Sequence, residues 1–460
     1  MGDETHHHVI VGGSAAGISA ALALRRHGFA GRVTVVEAGH ELPYERPPLS
    51  KALAGGEHAF LHAILPRQAY AEHRITLLPA TRALAVDPRR RAVELDDGQT
   101  LYADRVLLAT GVLPRTLPVP GAELAGVLTL RDVRDARALA ARLRAGGPVV
   151  VVGGGFIGLE VAAVAREAGL DVTVVETGAR PLEGPLGPVL ASRVTALHER
   201  AGVRLRTGVS VAAFTGTTHV TGVRLTDGRV LPAATVVVGV GVRPDTALAE
   251  AAGVLCDDGI VVDRHCHTSV PWILAAGDAT NQPHPHLPTR GRIEHWDNAM
   301  QQGAVAGAVL AGVLESHTAL PYFYSEQYGR TLQMYGRPAP GDEFVPRAEA
   351  TSAVDSVDPA EADEPEDGGF LGFWTREGVL VAAAGLDRPR ELRAARTLIE
   401  RRVPVDAATL ASPTTDLRAL ARTSAPPGPS VARLRSRPQT RSPHAGGTSG
   451  TSLASGKEAP

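Results

Sequence analysis

The feature that most constrains this 460-residue chain is an internal repeat. Residues 8–37 read as an apolar strand (HVIVGG), a tight turn, a helix (AAGISAALALRRHG) and a second strand (RVTVVE). Residues 149–176 read VVVVGGG, FIGLEVAAVAREAG and DVTVVE in the same order. A short apolar run ending in glycine, then a stretch of helical period, then another apolar run is the pattern of a βαβ unit, whose parallel strands are covered on both faces. The sequel repeats too. Around 85–108 comes a hairpin pattern turning at Asp97-Gly98, then an apolar strand ending in Ala109-Thr110-Gly111, and residues 203–241 follow the same order. The expected fold class is therefore α/β, with two doubly wound dinucleotide-binding domains.

The turns of the two repeats point to the chemistry. In the first, Gly12-Gly13-Ser14-Ala15-Ala16-Gly17 joins strand to helix, and Glu37 closes the next strand. Gly12 permits the tight turn, Gly17 lets the helix approach the strand, and the helix N-terminus offers free N–H groups to a pyrophosphate. Ser14 occupies the second glycine position of the pattern and is small enough to keep that approach open. In the second, Gly153, Gly155 and Gly158 satisfy the pattern in full, and Glu176 ends the following strand. A carboxylate there accepts hydrogen bonds from a ribose diol and repels a 2′-phosphate, so NADH is expected over NADPH. Two dinucleotide folds imply two dinucleotides, and the economical pair is a bound flavin exchanging electrons with a nicotinamide.

Composition narrows the function. Forty-seven basic against forty-nine acidic residues leave no positive excess for nucleic acid. No apolar run is long enough to span a bilayer, and MGDETHHHVIV lacks the basic region and apolar core of a secretory signal; a cytoplasmic protein without membrane contact is expected. Cys256 and Cys266 are the only cysteines and form no close pair, which argues against a disulfide scaffold, a zinc site and a dithiol centre. No metal is expected: His6-His7-His8 reads as a solvated terminus, and His284 and His286 are assigned no role. Only two lysines occur, Lys51 and Lys457, in a chain that otherwise uses arginine. Lys51 thus marks a position where a compact ammonium is needed.

Residues 245–320 add a strand (WILAAGD) and a helix (NAMQQGAVAGAVLAG), and from 321 short strands and the helix RELRAARTLIERR suggest a smaller α+β domain. The expected division is 1–115 with 245–320 for a discontinuous FAD-binding domain, 116–244 for an NAD-binding domain, and 321–422 for the C-terminal domain. Within the last, 349–367 holds eight acidic and no basic residues and reads as a solvated loop; 423–460, rich in Ser, Pro, Gly and Thr, reads as a disordered tail.

Tyr44-Glu45-Arg46-Pro47-Pro48-Leu49-Ser50-Lys51, Ala109-Thr110-Gly111, the FIGLE helix start, Gly277-Asp278 and Glu294-His295-Trp296 together resemble the FAD-dependent ferredoxin reductases of the putidaredoxin reductase type. The resemblance covers nearly all of residues 8–410, in order and spacing. It implies that the first glycine loop and Glu37 hold the FAD pyrophosphate and adenosine ribose, that Arg46, Pro48 and Lys51 lie along the flavin, and that Ala83 meets the adenine side through its backbone. It likewise implies Arg131 on the FAD phosphates, Asp278 on the ribityl chain and Trp296 beside the isoalloxazine. Gly153, Gly155, Phe156, Ile157, Gly158, Glu160 and Glu176 fall to NADH. Ala109, Thr110, Gly111, Gly241, Gly277, Glu294 and His295 complete the implied cofactor-binding set. Lys51 and Glu160 are the implied catalytic pair. Tyr322-Phe323-Tyr324-Ser325-Glu326-Gln327-Tyr328 resembles the family's aromatic PWFWSDQ segment, with Tyr324 in place of a tryptophan.

The implied activity is electron transfer from NADH through FAD to a small two-iron two-sulfur ferredoxin serving an oxygenase, by a monomer or weak homodimer. Arg388, Arg390, Arg393 and Arg396, with Arg290 and Arg292, are the candidate face for an acidic ferredoxin. Residues 40–60 contain no cysteine, which excludes the dithiol and single-cysteine branches of the same double fold. The alternatives are an NADH oxidase or quinone reductase, and an apoptosis-inducing-factor-like redox sensor.

Overall fold

The computed structural model describes residues 5–55, 57–348 and 369–423. The expected acidic loop lies outside the described residues, as does the expected tail beyond Thr423, which itself ends the helix Leu417–Thr423.

Each βαβ repeat seeds a five-stranded parallel sheet. The first runs in the order Ile273–Ala275, Arg105–Leu108, His7–Val11, Arg32–Val36, Ile75–Leu78. The second runs Arg204–Arg206, Val172–Val175, Val149–Val152, Thr235–Val238, Val127–Leu128. Their central strands are buried along their whole length, as strands covered on both faces must be. Each unit carries a three-stranded antiparallel flap, Ala83–Asp87 with Ala92–Leu95 and Thr100–Tyr102 in the first, and Val211–Gly216 with Val220–Leu225 and Val230–Pro232 in the second. An antiparallel ribbon of Val112–Pro114 and Val242–Pro244 ties the two units together. In the first unit the helix Ala15–Arg26 packs so closely on Trp296–Leu310 that a Cβ on Gly303 would stand 2.2 Å from the Ala16 carbonyl oxygen.

The histidine run departs from its expected solvated terminus. His6 is exposed beside Asp104, but His7 and His8 belong to the central strand and are buried. His7 meets Thr34 Oγ1 at 2.9 Å and the Tyr102 carbonyl at 2.7 Å, while His8 stacks on Phe29 with centroids 4.2 Å apart. Burial lowers the pKa of both; both His7 ring nitrogens have partners, and His8 Nε2 meets the Leu310 carbonyl at 3.2 Å, so neutral imidazole is accommodated in the central strand.

The third region is a five-stranded antiparallel sheet in the order Tyr322–Gln327, Arg330–Gly336, Val379–Leu386, Leu371–Arg376, Glu343–Pro346. The helix Pro389–Glu400 covers it with Leu392, Ala395, Leu398 and Ile399. Among the described residues no helix is long and apolar enough to cross a membrane.

Candidate active site

The two glycine loops have nearly the same backbone. Gly12 and Gly153 adopt φ of +108° and +104°, and a Cβ would lie 2.2 Å from the Ala109 oxygen in one and 2.3 Å from the Gly239 oxygen in the other. Only glycine fits. Gly17 and Gly158 bring helix against loop, with a Cβ clashing at 1.9 Å and 2.3 Å. The middle position differs: Gly155 has nothing within 4 Å of its Cβ direction, so this residue leaves open space above the loop. Ser14 and Gly155 cap their helices without any side-chain hydrogen bond, leaving the first N–H groups to an outside acceptor. Glu37 accepts from the Gly13 and Gly39 N–H groups, each at 2.7 Å, and Glu176 accepts from Gly154 at 2.6 Å and Gly178 at 2.7 Å. Each carboxylate thus braces its loop from the strand end.

Both loops open into one cavity of about 820 Å³. Ser14, Ala15, Ala16, Arg46, Lys51, Ala109, Gly111, Arg131, Gly277, Asp278, Glu294, His295 and Trp296 line it on the first unit's side, and Gly155, Phe156, Ile157, Glu160 and Gly241 on the second's. Gly12, Gly17, Glu37, Gly153, Gly158 and Glu176 stand behind these as loop supports. Pro48 opens the short helix Pro48–Lys51, and Thr110 bonds the Asp245 carbonyl at 2.6 Å. Ala83 begins a flap strand and is buried in the apolar cluster around Val86 and Val93, away from the cavity wall.

The wall suits an anionic, hydroxyl-rich ligand such as FAD. Arg46 reaches Ser14 Oγ at 3.3 Å and the Arg131 carbonyl at 2.8 Å, which places the Arg46 guanidinium beside the first helix N-terminus, and Arg131 lines the same wall. Burial, with Arg46 next, draws Arg131 down to about 10, still cationic at neutral pH. Asp278 has one carboxylate oxygen, Oδ1, buried and without a partner, and its pKa is raised by burial against the opposing pull of Arg131 at 3.9 Å. An orphaned acceptor in a polar wall calls for a donor such as a ribityl hydroxyl.

At the junction with the third sheet, Lys51 Nζ lies 2.9 Å from Glu160 Oε1 and 5.2 Å from the centroid of the Tyr324 ring. Glu160 is nearly fully buried on the helix Phe156–Glu167, yet its carboxylate is well supplied: Ser50 Oγ donates to Oε2, Ser325 Oγ to Oε1 at 2.6 Å, and the Glu326 N–H to Oε1 at 3.4 Å. Phe323 packs on Phe156 at 4.5 Å, and His295, lowered to about 4 by burial and then by Lys51, caps the Trp296–Leu310 helix. Ser50 and Ser325 are functional candidates that sequence reasoning missed, because a serine in PPLSK or in an aromatic strand carries no periodic signal. Neither Cys256 nor Cys266 lines the cavity.

The arginine face is reduced by the structure. Arg290 holds its own loop through Asn281 and the Val262 carbonyl, and Arg292 is paired with Asp258 and Glu294. Arg388 bonds the Gly369 carbonyl and Arg396 pairs with Glu400, whereas Arg390 and Arg393 are exposed on the Pro389–Glu400 helix.

Two dinucleotide-type units facing one thiol-free cavity, closed by a third sheet, define a two-nucleotide oxidoreductase. The family model "Pyridine nucleotide-disulphide oxidoreductase" matches residues 6–303, and "Reductase C-terminal" matches 360–421. Rhodocoxin reductase of Rhodococcus erythropolis is 38% identical over 408 residues, 86% of this chain and 90% of that protein. Putidaredoxin reductase of Pseudomonas putida is 37% identical over 406 residues, 86% and 92% of the two chains. The reductase in a crystal structure of the covalent putidaredoxin reductase–putidaredoxin complex superposes with a TM-score of 0.84 at 35% identity, over 92% of this chain and all of that one. The chain belongs to the pyridine nucleotide-disulphide oxidoreductase family, in the branch of ferredoxin reductases of the putidaredoxin reductase type.

Proposed function

We propose that this chain is an NADH-dependent, FAD-containing ferredoxin reductase whose acceptor is a two-iron two-sulfur ferredoxin of an oxygenase system. The observation that carries the reading is the single cavity shared by both glycine loops and reached by no cysteine. Electrons that enter it have no thiol to pass to and must leave to an outside acceptor. When bound, FAD supplies a ring able to take an electron pair as hydride and give it up one electron at a time. The chain's own residues do the rest. The Gly12–Gly17 loop, Arg46 and Arg131 hold the pyrophosphate, and Asp278 accepts from the ribityl chain. The open face at Gly155, with Phe156 and Ile157, admits the nicotinamide nucleotide, and Glu176 selects a free ribose diol. Lys51, held by Glu160, presents a fixed cation where negative charge develops, in a site that aromatic rings shield from water.

In this reading 1–115 with 245–320 form the FAD domain, 116–244 the NADH domain and 321–422 the C-terminal domain, which with Arg390 and Arg393 offers the ferredoxin face. The enzyme works in the cytoplasm, where NADH is regenerated, as a monomer or weak homodimer. The test is direct: the purified protein carries FAD, its flavin bleaches with NADH under anaerobic conditions, and a two-iron two-sulfur ferredoxin relays electrons from it to cytochrome c. Bleaching by NADH with no transfer to any such ferredoxin, together with rapid turnover on a quinone, would overturn the acceptor assignment.

A further inference from the structure

The Glu160 carboxylate is the end of a buried hydrogen-bond chain that reaches well outside the cavity. Ser325 Oγ, which donates to Glu160 Oε1 at 2.6 Å, itself accepts from Gln327 Nε2 at 3.0 Å. Gln327 Oε1 meets His198 Nε2 at 2.8 Å, and the Tyr328 hydroxyl meets His198 Nδ1 at 3.0 Å. Ser325 and Gln327 alternate with Tyr324 and Glu326 along their strand, so both point to the same interior side. His198 comes from the helix Glu183–Arg200 of the second unit and is fully buried. The chain therefore crosses from second unit to third sheet and back.

Its polarity has one consistent solution. A carboxylate can only accept, so Ser325 donates to Glu160 and is free to accept from the Gln327 amide. Gln327 then offers its oxygen to His198, which must carry its proton on Nε2, and the Tyr328 hydroxyl must donate to the bare Nδ1. Burial, which holds His198 near 4, is consistent with that neutral ring. Every donor thus runs toward Glu160. Aligned bonds of this kind polarise one another, and their common end is the group that orients Lys51.

We propose that His198, Gln327 and Ser325 are positioning residues that fix the Glu160–Lys51 pair against the cavity, so that the third sheet sets the geometry of hydride transfer as well as covering the site. The inference rests on the reading of Lys51 and Glu160 given above. None of the three residues touches the cavity wall, so their influence passes through Glu160.

The test uses the full-length holoenzyme with Ser325→Cys, which keeps the volume and weakens the donor, and Gln327→Met, which keeps the length and cuts the chain. FAD content and the NADH dissociation constant are expected to stay as in wild type, while the limiting rate of flavin reduction falls about tenfold, the rate equivalent of one lost hydrogen bond. Ring-nitrogen NMR of isotopically labelled histidine, with His198→Asn to assign the resonance, should show the wild-type proton on Nε2 and a shifted resonance in Gln327→Met. Unchanged limiting rates in both variants, a loss of rate matched by loss of FAD or NADH affinity, or a wild-type proton on Nδ1 would each overturn the proposal. If Gln327→Met does not fold, Ser325→Cys and the wild-type resonance decide. The NMR signature needs no NADH, so a wild-type flavin that NADH fails to reduce would refute the functional reading separately.

Discussion

Lys51→Met removes the charge-pair contact that joins the PPLSK helix to the helix Phe156–Glu167. The ammonium and carboxylate are 2.9 Å apart, with side chains 16% and 4% exposed. At an effective dielectric constant of about 20, unit charges at that distance attract by about 6 kcal/mol. Much of that is offset by the desolvation of both groups, and removing one partner of a buried pair typically costs roughly 3–5 kcal/mol. Glu160 keeps the Ser50, Ser325 and Glu326 donors, and such bonds to a charged group bring the net loss to about 2 kcal/mol. Expressed wholly at the transition state, that is roughly a thirtyfold slower step. Anaerobic stopped-flow with increasing NADH isolates the limiting rate of flavin bleaching, and redox titration gives the flavin potential. FAD should remain bound, because the residues proposed to hold its phosphates and ribityl chain are Ser14, Arg131 and Asp278 rather than Lys51. A limiting rate within about twofold of wild type, together with an unchanged potential, would remove Lys51 from the mechanism.

Further outcomes follow from the same geometry. Gly155→Leu should fold with normal FAD content, since nothing lies within 4 Å of its Cβ direction, and should weaken NADH binding by about tenfold or more; unaltered NADH affinity would refute the open face as the nucleotide entry. Glu176→Gln keeps much of the loop bracing and should narrow the ratio of kcat/KM for NADH over NADPH, and an unchanged ratio rejects its selective role. Charge reversal at Arg390 and Arg393 should weaken ferredoxin reduction and flatten its salt dependence, while NADH-driven flavin bleaching is unaffected; ferredoxin kinetics identical to wild type at low salt would discard this face. Burial lowers His198 and His284 to about 4 and His317 to about 3, below the ordinary 6.5. The unfolded chain therefore binds protons first as the pH falls, so this stability is fully present above 6.5 and lost toward pH 4. Thermal unfolding across that window should show a falling midpoint, and a flat profile would contradict the buried neutral rings.

The sequence by itself determined the double fold. The strand–glycine–helix repeats are local, and the demands at Gly12 and Gly153 arise from a turn whose backbone admits no side chain, so the two units and their anion-facing helix ends were legible without coordinates. Lys51 stood out because the chain otherwise avoids lysine, and its meeting with Glu160 was expected only through family resemblance. What the tertiary structure alone decided were relations between segments far apart in the chain. Ser50, Ser325, Gln327 and His198 come from three separate stretches and are linked to one carboxylate, the two serines directly and the others through Ser325, by register and helix packing, which no local pattern encodes. His7 and His8 proved to be core residues because a strand partner and Phe29 were there to receive them. Arg290 and Arg292, read as docking cations for an acidic ferredoxin, are consumed by nearby carbonyl and carboxylate groups. A sequence states which groups exist and how the backbone repeats; whether a charge is free, paired or buried depends on what the fold places within about 3 Å of it, and that is settled only when distant segments meet.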